Sequence, residues 1–203
     1  MIAYKFLARG SVGPFSKRQW KAGEWVEAAR PGEGWGIHAC RSQDLSWWID
    51  AELWRVELDG AVGERATQIE ARRGRLLDRI DQWNDEARAA FGLDCVFQAR
   101  DLSVSALRTL GHAGIAGRLA EATTLPQLLE IARSLQAPSG FAGEMFGYAH
   151  DAAAAYTARS NAAEASFIAS VATAAARGDP SGFDEERRRE SRWIAEHVGI
   201  EPR

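Results

Sequence analysis

The sequence predicts an α+β protein: an antiparallel-rich sheet with one or two helices over residues 1–90, then an Ala-rich helical bundle over residues 99–203 packed on it. Three observations predict it. Apolar residues alternate with a period of two in several short runs before residue 70, as strands with one buried face require. Seven of the eight tryptophans precede residue 84, which concentrates an aromatic core in the first half. Beyond residue 99 the apolar period lengthens to three and four, and alanine, the strongest helix former, becomes dense.

Residues 1–8 read as the opening strand, Ile2, Tyr4 and Phe6 alternating with Ala3, Lys5 and Leu7; Gly10, Gly13 and Pro14 break it. A short strand is expected over 24–28, with Trp25 half-buried. After the loop at 30–34, Gly34 and Gly36 flank Trp35, and residues 37–41 alternate again as a strand. Ser42 reads as the N-cap of a small helix with Asp44 in its first turn, and Leu45, Trp48 and Ile49 form its apolar face. Trp54, Val56 and Leu58 share one face of the next strand. Asp59-Gly60 is a hairpin signal, with residues 62–69 as the returning strand. From Ala71 to about Ala90, Leu76, Ile80 and Trp83 repeat at helical spacing beside a stripe of Arg72, Arg75 and Arg79. A helix ended by Gly92 is therefore expected.

The organisational boundary is placed at about residues 90–98. Helices are then expected over 101–110 and, more weakly, 115–122. Thr124 caps a third helix with Pro126 in its first turn. An alanine-dense helix covers 141–176 and is stopped by Gly178. A last helix runs from 184 to 198 and is closed by Gly199.

A family resemblance rests on five motifs of the first half: YKFLARGSVGPFS at 4–16, GEWVEA at 23–28, GIHACRSQDL at 36–45, ELWRVELDG at 52–60 and ARRGRLLDRIDQW at 71–83. Together they resemble a family of uncharacterised bacterial proteins, related domains of which occur in phage-encoded proteins with a similar G-x-H-A-C core. The second half resembles that family mainly through its closing helix, ERRRESRWIAEHVG. The resemblance implies no particular activity.

Composition narrows the partners. A net charge of −3 over 203 residues gives no global pull toward nucleic acid. No stretch approaches the roughly 20 apolar residues of a membrane span, and the first residues lack the apolar run of a secretory signal. Two cysteines, Cys40 and Cys95, are too few for a disulfide scaffold, so the expected setting is a reducing cytoplasm with both thiols free.

His38 and Cys40 stand at i and i+2 of a strand, so imidazole and thiol share a face. They could converge on one ligand or act as base and nucleophile; they equally suit a core, as a backbone-bonded histidine and a small hydrophobe. Arg72 and Arg75, with Arg73 and Arg79, match an anion by guanidinium geometry, or pair with acidic residues of the same half. Trp35 and Trp54, among the other tryptophans, supply walls for a planar ligand or plain core. No second C-x-x-C or H-x-x-x-H cluster completes a metal site, and no cofactor is assigned.

The expected function is a binding or interaction protein whose small-molecule or anionic-ligand pocket lies in the first half, near His38, Cys40, Arg55 and the tryptophans. An enzyme is the first alternative. The order of residues 4–9, 36–40 and 54–58 resembles the strand order of the ADP-ribosyltransferase fold, which would imply NAD as substrate, although a Glu-x-Glu pair and a Ser-Thr-Ser strand are missing. A helical scaffold, forming homo-oligomers through the Ala-rich helix, is the second.

Overall fold

The computed structural model describes residues 1–30, 36–159 and 161–201. It is an α+β protein in which an antiparallel sheet is followed by a helical region. The chain forms two compact units, Met1–Arg88 with Glu190–Arg203, and Ala89–Arg189. Sequence order and units therefore do not coincide: the closing residues expected to belong to one region over 99–203 group instead with the sheet. There the Ser46 N–H donates to Ser191 Oγ at 3.0 Å, a buried bond across 145 residues of chain.

The first unit is built on β1 (Ile2–Leu7), β2 (Val26–Glu27), β3 (Ile37–Ala39), β4 (Glu52–Arg65) and β5 (Gln68–Arg79). β1 runs antiparallel to β4, Ile2 facing Glu57 and Leu7 facing Glu52. β4 pairs with β5, whose first residues pair with β3 and whose middle pairs with β2. Just past β3, Cys40 meets Tyr4 of β1, and the two exchange both backbone hydrogen bonds at 2.9 and 2.8 Å. The ring β1–β4–β5–β3–β1 is thereby closed. Closure removes edges that would otherwise expose unpaired backbone groups. Its interior holds Leu7, Trp20, Ile37, Val56, Ile69 and Leu76, all buried.

Three local expectations are corrected here. Residues 71–79 are strand, not helix. Leu76 faces the core from β5, whereas Ile80 and Trp83 are buried in the turn that follows, so their helical spacing was coincidental. Trp83 packs edge-on to Phe6, ring centroids 5.7 Å apart, and its Nε1–H donates to the Asp50 carbonyl at 2.9 Å. Gly74 explains the choice: a Cβ there would stand 2.8 Å from Ile37 Cγ2 and 3.2 Å from Leu58 Cδ2. Glycine in mid-helix also costs about 1 kcal/mol. Second, Gly60 does not turn a hairpin. With φ of +64° it sits inside β4 beside the register shift at Ala61/Gly63, and the turn comes at Ala66-Thr67. Third, Ser42 is not an N-cap. It opens a short 3-10 helix, Ser42–Trp47, with Arg41 at the cap position and no capping side chain.

The second unit contains most of α1 (Asp85–Thr109), then α2 (Ala113–Ala120), α3 (Leu125–Ser134), α4 (Gly140–Arg159), α5 (Ala162–Arg177) and the first part of α6 (Ser181–His197). Gly92 does not end a helix; it lies within α1 because the Tyr156 ring occupies the space a Cβ would need, 2.3 Å from Tyr156 Cε2. Thr124 caps α3 through a reciprocal box with Gln127. The expected helix over 141–176 is two helices: Asn161 accepts from the Glu164 N–H at 3.2 Å and starts α5 afresh. Ala149, Ala152 and Ala153 of α4 and Ala165, Ala169 and Ala172 of α5 are buried, and the two helices pack on each other. Gly178 closes α5 with φ of +66°. Among the described residues no helix is long and apolar enough to cross a membrane.

Candidate functional site

The alternation of β1 builds the site. Ala3, Lys5 and Leu7 share one face of the strand; Ala3 and Leu7 enter the apolar core, and the side chain between them is a lysine. Lys5 Nζ donates to the carbonyl of His38 at 2.6 Å and lies 5.2 Å from the Trp20 ring centroid. Lys5 is half-buried, and among the described residues it forms no ion pair. Burial pulls its ammonium down to about 8, the nearby Cys40 acting weakly the other way.

Lys5 opens into a cavity of about 450 Å³ within the first unit. Trp20, Trp47, Trp48 and Phe15 supply aromatic walls, and His38 and Cys40 line it from the β3 side. Phe15 is 84% exposed, on a loop braced by the Lys17 N–H donating to the Gly13 carbonyl. Two further charged groups line the cavity. Arg18 is exposed and donates to the Glu27 carbonyl at 3.0 Å, while Asp50 accepts from the Ala51 N–H at 2.7 Å. An aromatic enclosure with few polar groups is the usual composition of a small-molecule site.

His38 and Cys40 are thus brought to one cavity. Cys40 is buried, and burial, then Asp44, pushes its thiol well above the ordinary range; Lys5 and Arg41 oppose this only in part. A thiol so held stays protonated at neutral pH and packs as a small apolar group. Neither Cys40 nor Cys95 is in a disulfide, and both are buried.

The arginines lie elsewhere. Arg55 forms a forked bond to Asp78 of β5, Nε and Nη2 reaching Oδ1 at 2.9 and 2.7 Å. Arg75 binds Glu57 at 2.7 Å and stacks over Trp25 with Arg73, which in turn binds Asp59 at 2.8 Å. Arg72 is exposed, its aliphatic stem lying over Gly60. None of Arg55, Arg72 and Arg75 lines the cavity. Trp54 packs against the apolar core and donates to Glu52 at 3.1 Å. Trp35 lies outside the described residues. Among those described, no cluster of three His, Cys, Asp or Glu side chains is placed to hold a metal ion.

Lys5 is the candidate site residue that motif reading passes over. Its signal is present in two forms: a charge on the Ala3–Leu7 face of an alternating strand, and a lysine in a chain with 22 arginines and only three lysines. No family model, curated protein or solved structure matches this chain.

Proposed function

We propose that this protein binds a small anionic molecule with a flat apolar body, its carboxylate or phosphate paired with Lys5 and its body held between the aromatic walls. The observation that carries this reading is the Lys5 ammonium, set in an aromatic cavity without an ion-pair partner among the described residues. A cation held there is expensive, because burial removes hydration that one carbonyl and one ring only partly replace. A ligand anion completes the set. His38 contributes its carbonyl to Lys5, and both His38 and Cys40 line the cavity.

Thermal unfolding with benzoate, indole-3-acetate and phenyl phosphate tests the proposal on the wild type and on Lys5→Met. Stabilisation by at least one of them is expected, about 2.7 kcal/mol at a hundredfold excess over Kd, and its loss in the variant. No stabilisation of the wild type by any of the three, or an equal response in Lys5→Met, would contradict it.

A further inference from the structure

A lysine with a second cation lining the same cavity asks for more than a counter-ion. The cavity holds two cations of different kinds. Arg18 is exposed, lines the cavity, offers the planar fork of donors that matches a carboxylate, and has a carbonyl rather than a carboxylate as its hydrogen-bond partner. Lys5 is the inner one. It is tethered by a single N–H to the His38 carbonyl at 2.6 Å, which leaves the rest of the amine directed away from that bond. Lysine is the one cation of the pair that can shed its proton and attack.

Resting on the aromatic cavity of the binding proposal, but moving the ligand carboxylate from Lys5 to Arg18, we propose that the ligand class is a small 2-oxo acid, its carboxylate taken by Arg18 and its carbonyl carbon condensed with Lys5 Nζ as a Schiff base. The step balances without a co-reactant. The Nζ lone pair forms the N–C bond while the carbonyl π pair moves onto oxygen. Both amine protons end on that oxygen, which leaves as water as the nitrogen pair closes the C=N bond.

Two features favour this over simple pairing, and a third makes it testable. The amine stands beside apolar and aromatic surface, which disfavours the ammonium and slows hydrolysis of an imine by limiting water. Burial holds the group at about 8, so at pH 8 it carries on the order of a hundredfold more free amine than an ordinary lysine. The third is selectivity: Lys17 and Lys21, the other two lysines, are exposed and serve as comparators in the same molecule.

The experiment is reductive trapping with phenylpyruvate and cyanoborohydride at pH 8, read by peptide mass spectrometry of the full chain. Lys5 is expected to carry the adduct at least about tenfold faster than Lys17 or Lys21, in line with its larger free-amine fraction. Arg18→Gln should slow trapping at Lys5 with phenylpyruvate but not with benzaldehyde, which has the carbonyl and lacks the carboxylate. Phenylacetate, with the carboxylate and no ketone, reads binding separately through thermal unfolding. Stabilisation by phenylacetate with no preference for Lys5 in trapping overturns the Schiff base and leaves the binding proposal standing. Absence of both overturns both. Equal trapping of Lys5 in wild type and Arg18→Gln removes the 2-oxo acid as the ligand class.

Discussion

Lys5 and Arg55 stand one residue apart in register on paired strands, since Tyr4 faces Arg55 and Lys5 faces Trp54, yet they meet opposite fates. Arg55 is on the solvent side, side chain 52% exposed, forked onto an Asp78 that is 50% exposed. Arg73 and Arg75 repeat the pattern with Asp59 and Glu57. Lys5 points into the closed ring and meets one carbonyl and the ring of Trp20. On the outer face Arg55, Arg73 and Arg75 are each paired with a carboxylate at little cost. The inner face carries Lys5, which is costly and incompletely matched, the feature on which the binding proposal rests.

The difference has a sign that can be measured. Replacing Lys5 by Met is expected to stabilise the protein, on the order of 2–3 kcal/mol at pH 7, because the folded state then no longer shelters an ammonium against its hydration. Below about 8 both folded and unfolded chains hold the proton, and the folded chain bears the full cost. Between about 8 and 10.5 only the unfolded Lys5 keeps it, so stability rises with pH and the advantage of the variant fades. Cys40 runs the other way: its thiol ionises near 9.0 when unfolded but not when folded, so stability falls as pH passes that value. Comparing variant with wild type at each pH cancels the Cys40 contribution. Chemical denaturation of both proteins from pH 6 to 10 checks it.

Glu52 sharpens the comparison from the opposite side, as a buried charge that is satisfied. It accepts from Gly10 N–H at 2.9 Å, from Ser11 N–H and Oγ at 3.1 Å and from Trp54 Nε1 at 3.1 Å, with Arg79 at 3.5 Å. Burial alone would raise its pKa; those bonds, with Arg79, hold it below the usual value. Its stabilisation is therefore present above the ordinary carboxylate range and lost as pH falls through the depressed value. Glu52→Gln should cost about 1–3 kcal/mol at pH 7, with the deficit shrinking in acid, as denaturation at pH 7 and 3 would show.

Smaller effects follow on either face. Gly74→Ala pushes a methyl against Ile37 and Leu58 and is expected to cost about 1–2 kcal/mol without altering ligand response, read by urea unfolding. Arg55→Ala removes an exposed pair and should shift stability by less than about 1 kcal/mol, less still in high salt, with ligand response unchanged. A large loss of binding in Arg55→Ala would move the site to the outer face.

The elements legible from the residues are those specified by their own neighbours. Thr124 with Gln127 makes a cap, Gly178 stops α5, and alternation from Ile2 to Leu7 makes β1, all without distant help. β5 reads as helix from its own residues because Leu76, Ile80 and Trp83 fall at helical spacing, while its conformation is decided by β4, β3 and β2 on its flanks. Gly60 carries the same ambiguity, since a bulge and a turn both ask for a left-handed residue. His38 and Cys40 were legible as a shared face; Arg55, Arg72 and Arg75 were singled out by residue type, and their pairing partners in register across β4 and β5 could not be seen. The cavity itself depends on ring closure through Tyr4 and Cys40, a contact over 36 residues that no local pattern encodes.

The most direct measurement is an NMR titration of the Lys5 side chain, followed at Cε with and without saturating benzoate; with three lysines in the chain, assignment needs only Lys5→Met as reference. A midpoint near 8 in the free protein is expected, moving upward when the carboxylate binds, because an anion beside the ammonium favours its charged form. Lys5 titrating near 10.5 in the free protein, or a midpoint untouched by any of the three anions, would contradict the assignment of Lys5 as the anchoring cation.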